Sequence, residues 1–405
     1  MMNLSIATRA AGVLAVAGSF LLSADVAPAG DGPAAPTQFL LAPGEARALG
    51  LDTVWQSQVR VGGAGTAAKV FVIPGDSVFV TDAGCHVARV LIENGSTVWA
   101  NACGRATDRI IDVDRTQYAA RLPAGNNGEL TPATALDEVL VTLDAGIISL
   151  DTHNGHLVQT QRLERVPSTR AVLHGRFLIF GARGGQLVWQ QYPIGHLWKC
   201  NELGGAILSP PIEVGPALAA ASTTGDVLLV NPDTTRQIWR RTLPGAVQGS
   251  LAASDGAVFA ASADQAIHAF EASTGKTRWR HLTSKALTCN LFADDERVYG
   301  QIPGEGLVAL ATRPSGMLEP SVVWSARVPG DAICRAGNRL LVWDAATKKL
   351  TALDAASGHI EGSAHLADVV DLEVTGATDP NLYLLGTSGT LQRLVVPPTP
   401  APIAE

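Results

Sequence analysis

The sequence predicts an all-β chain, an eight-bladed β-propeller of four-stranded antiparallel blades closed by its N- and C-terminal strands. Three observations point there. The composition suits short strands and tight turns, a strand–turn–Trp frame returns about every 40 residues, and a β-prone stretch ahead of the first repeat supplies the strand that the last repeat lacks.

The 405 residues include 41 Gly, 23 Pro and 46% hydrophobic residues, with only 17% charged. Helix-rich chains lean instead on Ala, Leu, Glu and Lys. The formal net charge is −7 and no run of Lys or Arg occurs, so the concentrated basic footprint of a nucleic-acid binder is missing.

The clearest repeat runs through Ala257–Asp264 and Ala266–Phe270, turns at Ser273-Thr274-Gly275 and reaches Trp279 four residues past the glycine. The turn needs a residue that tolerates positive φ, which glycine does at no steric cost. Upstream, Asn94-Gly95 leads to Trp99, and Asn154-Gly155 leads to Gln159 in the Trp position. Gly195 leads to Trp198 with one residue fewer, and Thr235 stands for Gly before Trp239. Downstream a looser turn precedes Trp324, and Ser357-Gly358 leads to Gly362. The gaps are 60, 39, 41, 40, 45 and 38 residues, one blade each, with an insertion in the second unit between Gly104 and Pro132.

The last unit, Leu382–Gly386 and Thr390–Val396, stops before its Trp, while Leu51–Val59 carries Trp55 with no preceding hairpin. Joining the two closes the ring and removes unpaired edges. Trp55, Trp99, Trp198, Trp239, Trp279 and Trp324 therefore read as structural blade residues. They are expected in the hydrophobic layers between blades, each indole N–H with a partner.

At the N-terminus, Arg9, the 13-residue apolar run Ala10–Leu22 and the small residues Ala24, Ala27 and Ala29 read as a secretory signal over 1–29, an uncleaved anchor being the alternative. Residues 30–50 read as a mobile Pro/Gly/Ala-rich linker with at most one helical turn around Pro43–Leu49. The propeller spans 51–396, and 397–405 is a mobile Pro-rich tail.

Five cysteines, Cys85, Cys103, Cys200, Cys289 and Cys334, leave an odd thiol and form no CxxC pair. Cys85 and Cys103 flank one hairpin and offer either a disulfide or two thiols, whereas Cys289 and Cys334 fall too far apart for an unstrained bridge. His153 and His156 read as a solvated turn rather than zinc ligands. The acidic runs Asp108–Asp114 and Asp294–Glu296 read as solvated surface, since neither follows a calcium-loop spacing.

The frame Ala269-x-Glu271-x-x-Thr274-Gly275-Lys276-x-x-Trp279 resembles the repeat of quinoprotein-type propellers, with weaker copies around Asp354–Gly358 and Asp151–Gly155. One branch of that superfamily comprises oxidoreductases that hold pyrroloquinoline quinone (PQQ) and a metal on the ring axis. The other is non-catalytic and includes the propeller subunit of the outer-membrane barrel-assembly machinery. The chain lacks the adjacent cysteine pair and large blade insertions of the enzymes, and lacks the lipid-bearing Cys of the assembly subunit. The resemblance implies an exported, monomeric, non-catalytic scaffold for protein partners in the cell envelope. It carries no catalytic, cofactor or metal residue and makes no direct membrane insertion. A PQQ-dependent oxidoreductase is the alternative.

Overall fold

A computed structural model describes residues 38–62, 66–120, 123–124, 129–130, 134–192, 195–313, 318–376 and 380–397. The expected signal over 1–29 and all but the first residue of the tail lie outside the described residues.

Thirty-two strands form eight four-stranded antiparallel sheets, arranged as a β-propeller. Seven blades are consecutive in sequence: 67–102, 110–162, 167–202, 212–242, 252–282, 291–326 and 331–365. The eighth takes three strands from 369–395 and its fourth from Asp52–Gln58, in the register Asp52↔Val395 to Gln58↔Thr390. The first strands of most successive blades touch one another around the axis. The insertion of the second blade extends its first two strands, Ile110–Ala120 and Thr134–Leu143, into a long hairpin.

The core is a set of layers, each between two neighbouring blades. Indole wedges join most of them. Trp55, Trp99, Trp239, Trp279 and Trp324 each stand on the fourth strand of one blade. Their Nε1–H groups donate across to the carbonyls of Ile92, Thr152, Ala272, Thr312 and Ala355 in the next, at 2.8–2.9 Å. Four of these rings, those of Trp55, Trp99, Trp239 and Trp324, cover the turn glycine of the receiving blade. A Cβ on Gly95, Gly155, Gly275 or Gly358 would lie 2.6–2.7 Å from Trp55, Trp99, Trp239 or Trp324. The turn glycine thus answers to two demands, a positive φ and a neighbouring indole.

Every fourth strand also carries a β-bulge one residue before the Trp position. A bulge on an outer strand twists the edge and re-aims one side chain. It corrects the expectation for Trp198. With one residue fewer after Gly195, Trp198 falls on the bulge and Lys199 takes the wedge position. Trp198 is 40% exposed and stacks on Phe177 at 4.7 Å. Its place is taken by Trp189, fully buried on the third strand, whose Nε1 donates to Pro232 O at 2.9 Å. No fourth-strand indole then covers the turn of the fourth blade, and Thr235 holds the glycine position there at φ 57°.

The linker reading is also corrected for its described part, residues 38–50, which packs against the propeller. Pro43–Ala48 is helical, and Leu41, Ala46, Leu49 and Leu51 are buried in the layer between the seventh and eighth blades. The helix fills the wedge position left by Gly362, where a Cβ would lie 3.2 Å from Ala48 O and 3.4 Å from Leu49 Cδ2. The eighth blade has no hairpin between its third and fourth strands, so this interface lacks a turn for an indole to cover.

Candidate functional site

Where the first strands converge, one arginine touches four blades. Arg170, on the first strand of the third blade (Pro167–His174), bonds Glu373 of the eighth through Nη1. Its Nη2 reaches Val70 O at 3.4 Å and its Cζ lies 4.6 Å over the Phe71 ring, both in the first blade. Its Nε stands 3.9 Å from Asp112 of the second blade. Asp112 also accepts from Ala171 N at 2.7 Å, and Asp371 accepts from Val70 N at 2.8 Å.

Asp112, Asp114, Asp371 and Glu373 thus surround a single guanidinium, with Lys69 close enough to Asp371 to favour its charge. Burial raises the pKa of all four carboxyls. The rise is largest for Asp114, where the charge and hydrogen bond of Asp112 add to burial. Asp114 Oδ2 is a buried oxygen with no hydrogen bond, which adds to the cost of charging the group.

This cluster corrects the reading of Asp108–Asp114 as solvated surface. Asp112 is 4% exposed, because residues two apart on a first strand point together toward the axis. Asp294 is buried as well. It caps its turn by accepting from Glu296 N and Arg297 N, and it pairs with Tyr299 and Arg335.

A raised carboxyl pKa favours the folded state while the group is protonated, and that stability is lost as pH climbs from the unfolded toward the folded pKa. Asp114→Asn removes this loss. The variant is expected to match the wild type near pH 4 and to exceed it increasingly toward pH 8, by about 1.4 kcal/mol per unit of raised pKa. Urea unfolding at both pH values reads the gap, and a gap that closes with rising pH contradicts the assignment.

PQQ does not fit this axis. It is a tricarboxylic acid, and the axis offers it four carboxyl groups around an arginine already committed to Glu373. Among the described residues, no group of three or more His, Cys, Asp or Glu is placed to hold a metal ion.

The other sequence candidates do not converge on the axis. His153 and His156 are exposed in a turn. Cys85 and Cys103 face each other, with Cys103 N donating to Cys85 O at 2.8 Å, yet both are buried free thiols. Burial, with Asp108, Asp82 and Asp144 nearby, pushes the Cys85 pKa up to about 11, and burial raises that of Cys103 too. The thiolate that exchange requires is therefore scarce. Cys289 and Cys334 are also free, Cys334 fully buried.

The outer rim is the second notable surface. Val54, Val98, Val158, Trp198, Ile238 and Val323 all occupy the bulge position and are 38–50% exposed. Sequence reasoning passed over them because each sits singly beside the wedge position, and the outward turn follows from a bulge that only the pairing reveals.

Comparison with known proteins places this geometry. A family described as outer membrane protein assembly factor BamB matches residues 174–320, from the third blade into the sixth. Outer membrane protein assembly factor BamB of Burkholderia pseudomallei (strain K96243) is 29% identical over 136 residues, so the match spans 32% of this chain and 32% of that relative. The crystal structure of BamB from Moraxella catarrhalis superposes with a TM-score of 0.61 at 17% identity, over 85% of this chain and 97% of that one. The computationally designed Ika8 protein superposes with a TM-score of 0.59 at 13% identity, over 82% and 97%. At those identities the two structures speak for the fold alone. With eight sealed blades the chain is a β-propeller, and its middle blades are similar in sequence to outer membrane protein assembly factor BamB.

Proposed function

We propose that this chain is an exported, non-catalytic scaffold that holds protein segments in a bacterial cell envelope and serves outer-membrane protein assembly. The observation that carries the reading is the outer rim. Six of the eight fourth strands turn an apolar side chain into solvent at the same bulge, beside strand edges whose backbone groups face outward. Exposed apolar side chains next to strand edges suit capture of extended protein segments. The similarity to an assembly factor through the middle blades supplies the context.

The test is cross-linking of the tagged full chain in envelope extracts, followed by identification of what co-purifies. A reproducible outer-membrane assembly component supports the proposal, and recovery of no reproducible partner contradicts it. Titration with PQQ and calcium separates the oxidoreductase alternative, since tight binding with dye-linked oxidation of an alcohol or sugar would replace the scaffold reading.

A further inference from the structure

A cleft of about 720 Å³ lies between the fourth and fifth blades, with Leu318 and Glu319 of the sixth blade also lining it. One wall is the outer strand of the fourth blade, through Arg241, Thr242 and Leu243. The other is one face of the fifth blade, where cross-strand partners lie side by side, His268 opposite Arg280 and Phe270 opposite Thr277, with Leu282 beyond.

Two features specify what such a cleft takes. Arg241 and Arg280 are both exposed, and among the described residues neither guanidinium has a carboxylate partner. Arg241 Nε donates only to Gly275 O. Second, the edge of the outer strand Thr277–Leu282 already donates a backbone bond to another part of the chain, Arg280 N to Leu318 O at 2.9 Å. Leu318 and Glu319 line the cleft, with Leu318 72% exposed. The protein thus lays its own apolar–acidic dipeptide on this edge. Main-chain bonding supplies affinity in strand addition, and pockets for alternate side chains supply selectivity.

We propose that the cleft between the fourth and fifth blades binds an extended segment of a partner protein in which apolar and acidic residues alternate. In this arrangement the partner's carboxylates meet Arg241 and Arg280, its apolar side chains pack against Leu282 and Leu318, and Leu318-Glu319 forms part of the seat. The proposal rests on the scaffold reading and names the chemistry of the segment that the scaffold holds.

The experiment uses the full chain and a fluorescein-labelled hexapeptide of alternating leucine and glutamate, read by fluorescence anisotropy. A leucine–lysine hexapeptide is the control. The wild type is expected to bind the acidic peptide, more weakly as salt rises, and to bind the lysine peptide at least tenfold less well. Arg280→Glu and Leu282→Asp alter exposed side chains, and each is expected to weaken binding at least tenfold with an unchanged melting temperature. Equal binding of the two peptides, no binding of the acidic one, or affinities of the variants within twofold of wild type would overturn the proposal. Envelope cross-linking with wild type and Arg280→Glu separates the two levels. A partner recovered equally with both leaves the scaffold standing without this cleft, and a partner recovered with neither removes the scaffold itself.

Discussion

Trp279→Ala is expected to destabilise the propeller by about 3–5 kcal/mol, the range for truncating a large buried aromatic. Trp279 is fully buried between the fifth and sixth blades, 5.5 Å from the Phe259 ring, and bonds Thr312 O at 2.9 Å. Truncation opens a cavity in that layer and leaves a buried carbonyl without its donor. Domain stabilities are usually about 5–15 kcal/mol, so the loss removes much of the margin. Trp198→Ala is the internal control. That ring lies on the bulge, is 40% exposed and packs on Phe177, and its loss is expected to cost about 1 kcal/mol or less. Urea midpoints of the two variants compare them directly. Equal shifts would mean that the wedge position, rather than merely the presence of a tryptophan, carries no special energy.

The second large effect is expected where the ring is sealed. Gln392 is fully buried on the third strand of the last blade. Its Oε1 accepts from Leu41 N and its Nε2 donates to Leu41 O, both at 2.8 Å, with a further bond to Thr53 Oγ1 at 3.2 Å. The side-chain amide thus pairs with the Leu41 backbone as a neighbouring strand would, and fastens the N-terminal segment over the seam. Gln392→Ala leaves the Leu41 N–H and C=O buried and unpaired, at about 1–3 kcal/mol for each unsatisfied group. The loss is expected to concentrate in the seam and to leave the middle blades protected, because each blade packs chiefly on its two neighbours.

The particular residues show why some of this was legible in sequence and some was not. Blade count and closure were readable because the turn glycine and the indole recur at a fixed spacing and both follow from local geometry. Trp55 marked the closing strand for the same reason, a wedge residue with no hairpin of its own. Trp189 was hidden because it reaches the wedge site from the third strand, outside the repeating frame. The shift of Trp198 onto the bulge leaves Lys199 at the wedge position, and Thr235 holds the glycine position of the neighbouring blade, two departures from the frame that stand side by side only once the pairing is known. The axial cluster was unreadable in principle, because Arg170, Asp112, Asp371 and Glu373 lie on first strands of three blades, with Glu373 203 residues from Arg170 in sequence, and meet only when the ring closes. The docked helix left a fainter trace. The apolar residues Leu40, Leu41, Leu49 and Leu51 sit amid Pro, Gly and Ala, and composition outweighed them.

Hydrogen exchange of the closing strand is the most direct measurement, followed by mass spectrometry on the intact wild type and on Gln392→Ala. A sealed ring requires the amides of Asp52–Gln58 that bond Thr390–Val395 to be protected in the wild type to the level of the other outer strands, and to lose protection selectively in the variant. Exchange of those amides in the wild type at the rate of an unstructured chain, while the blades stay protected, would show an open ring.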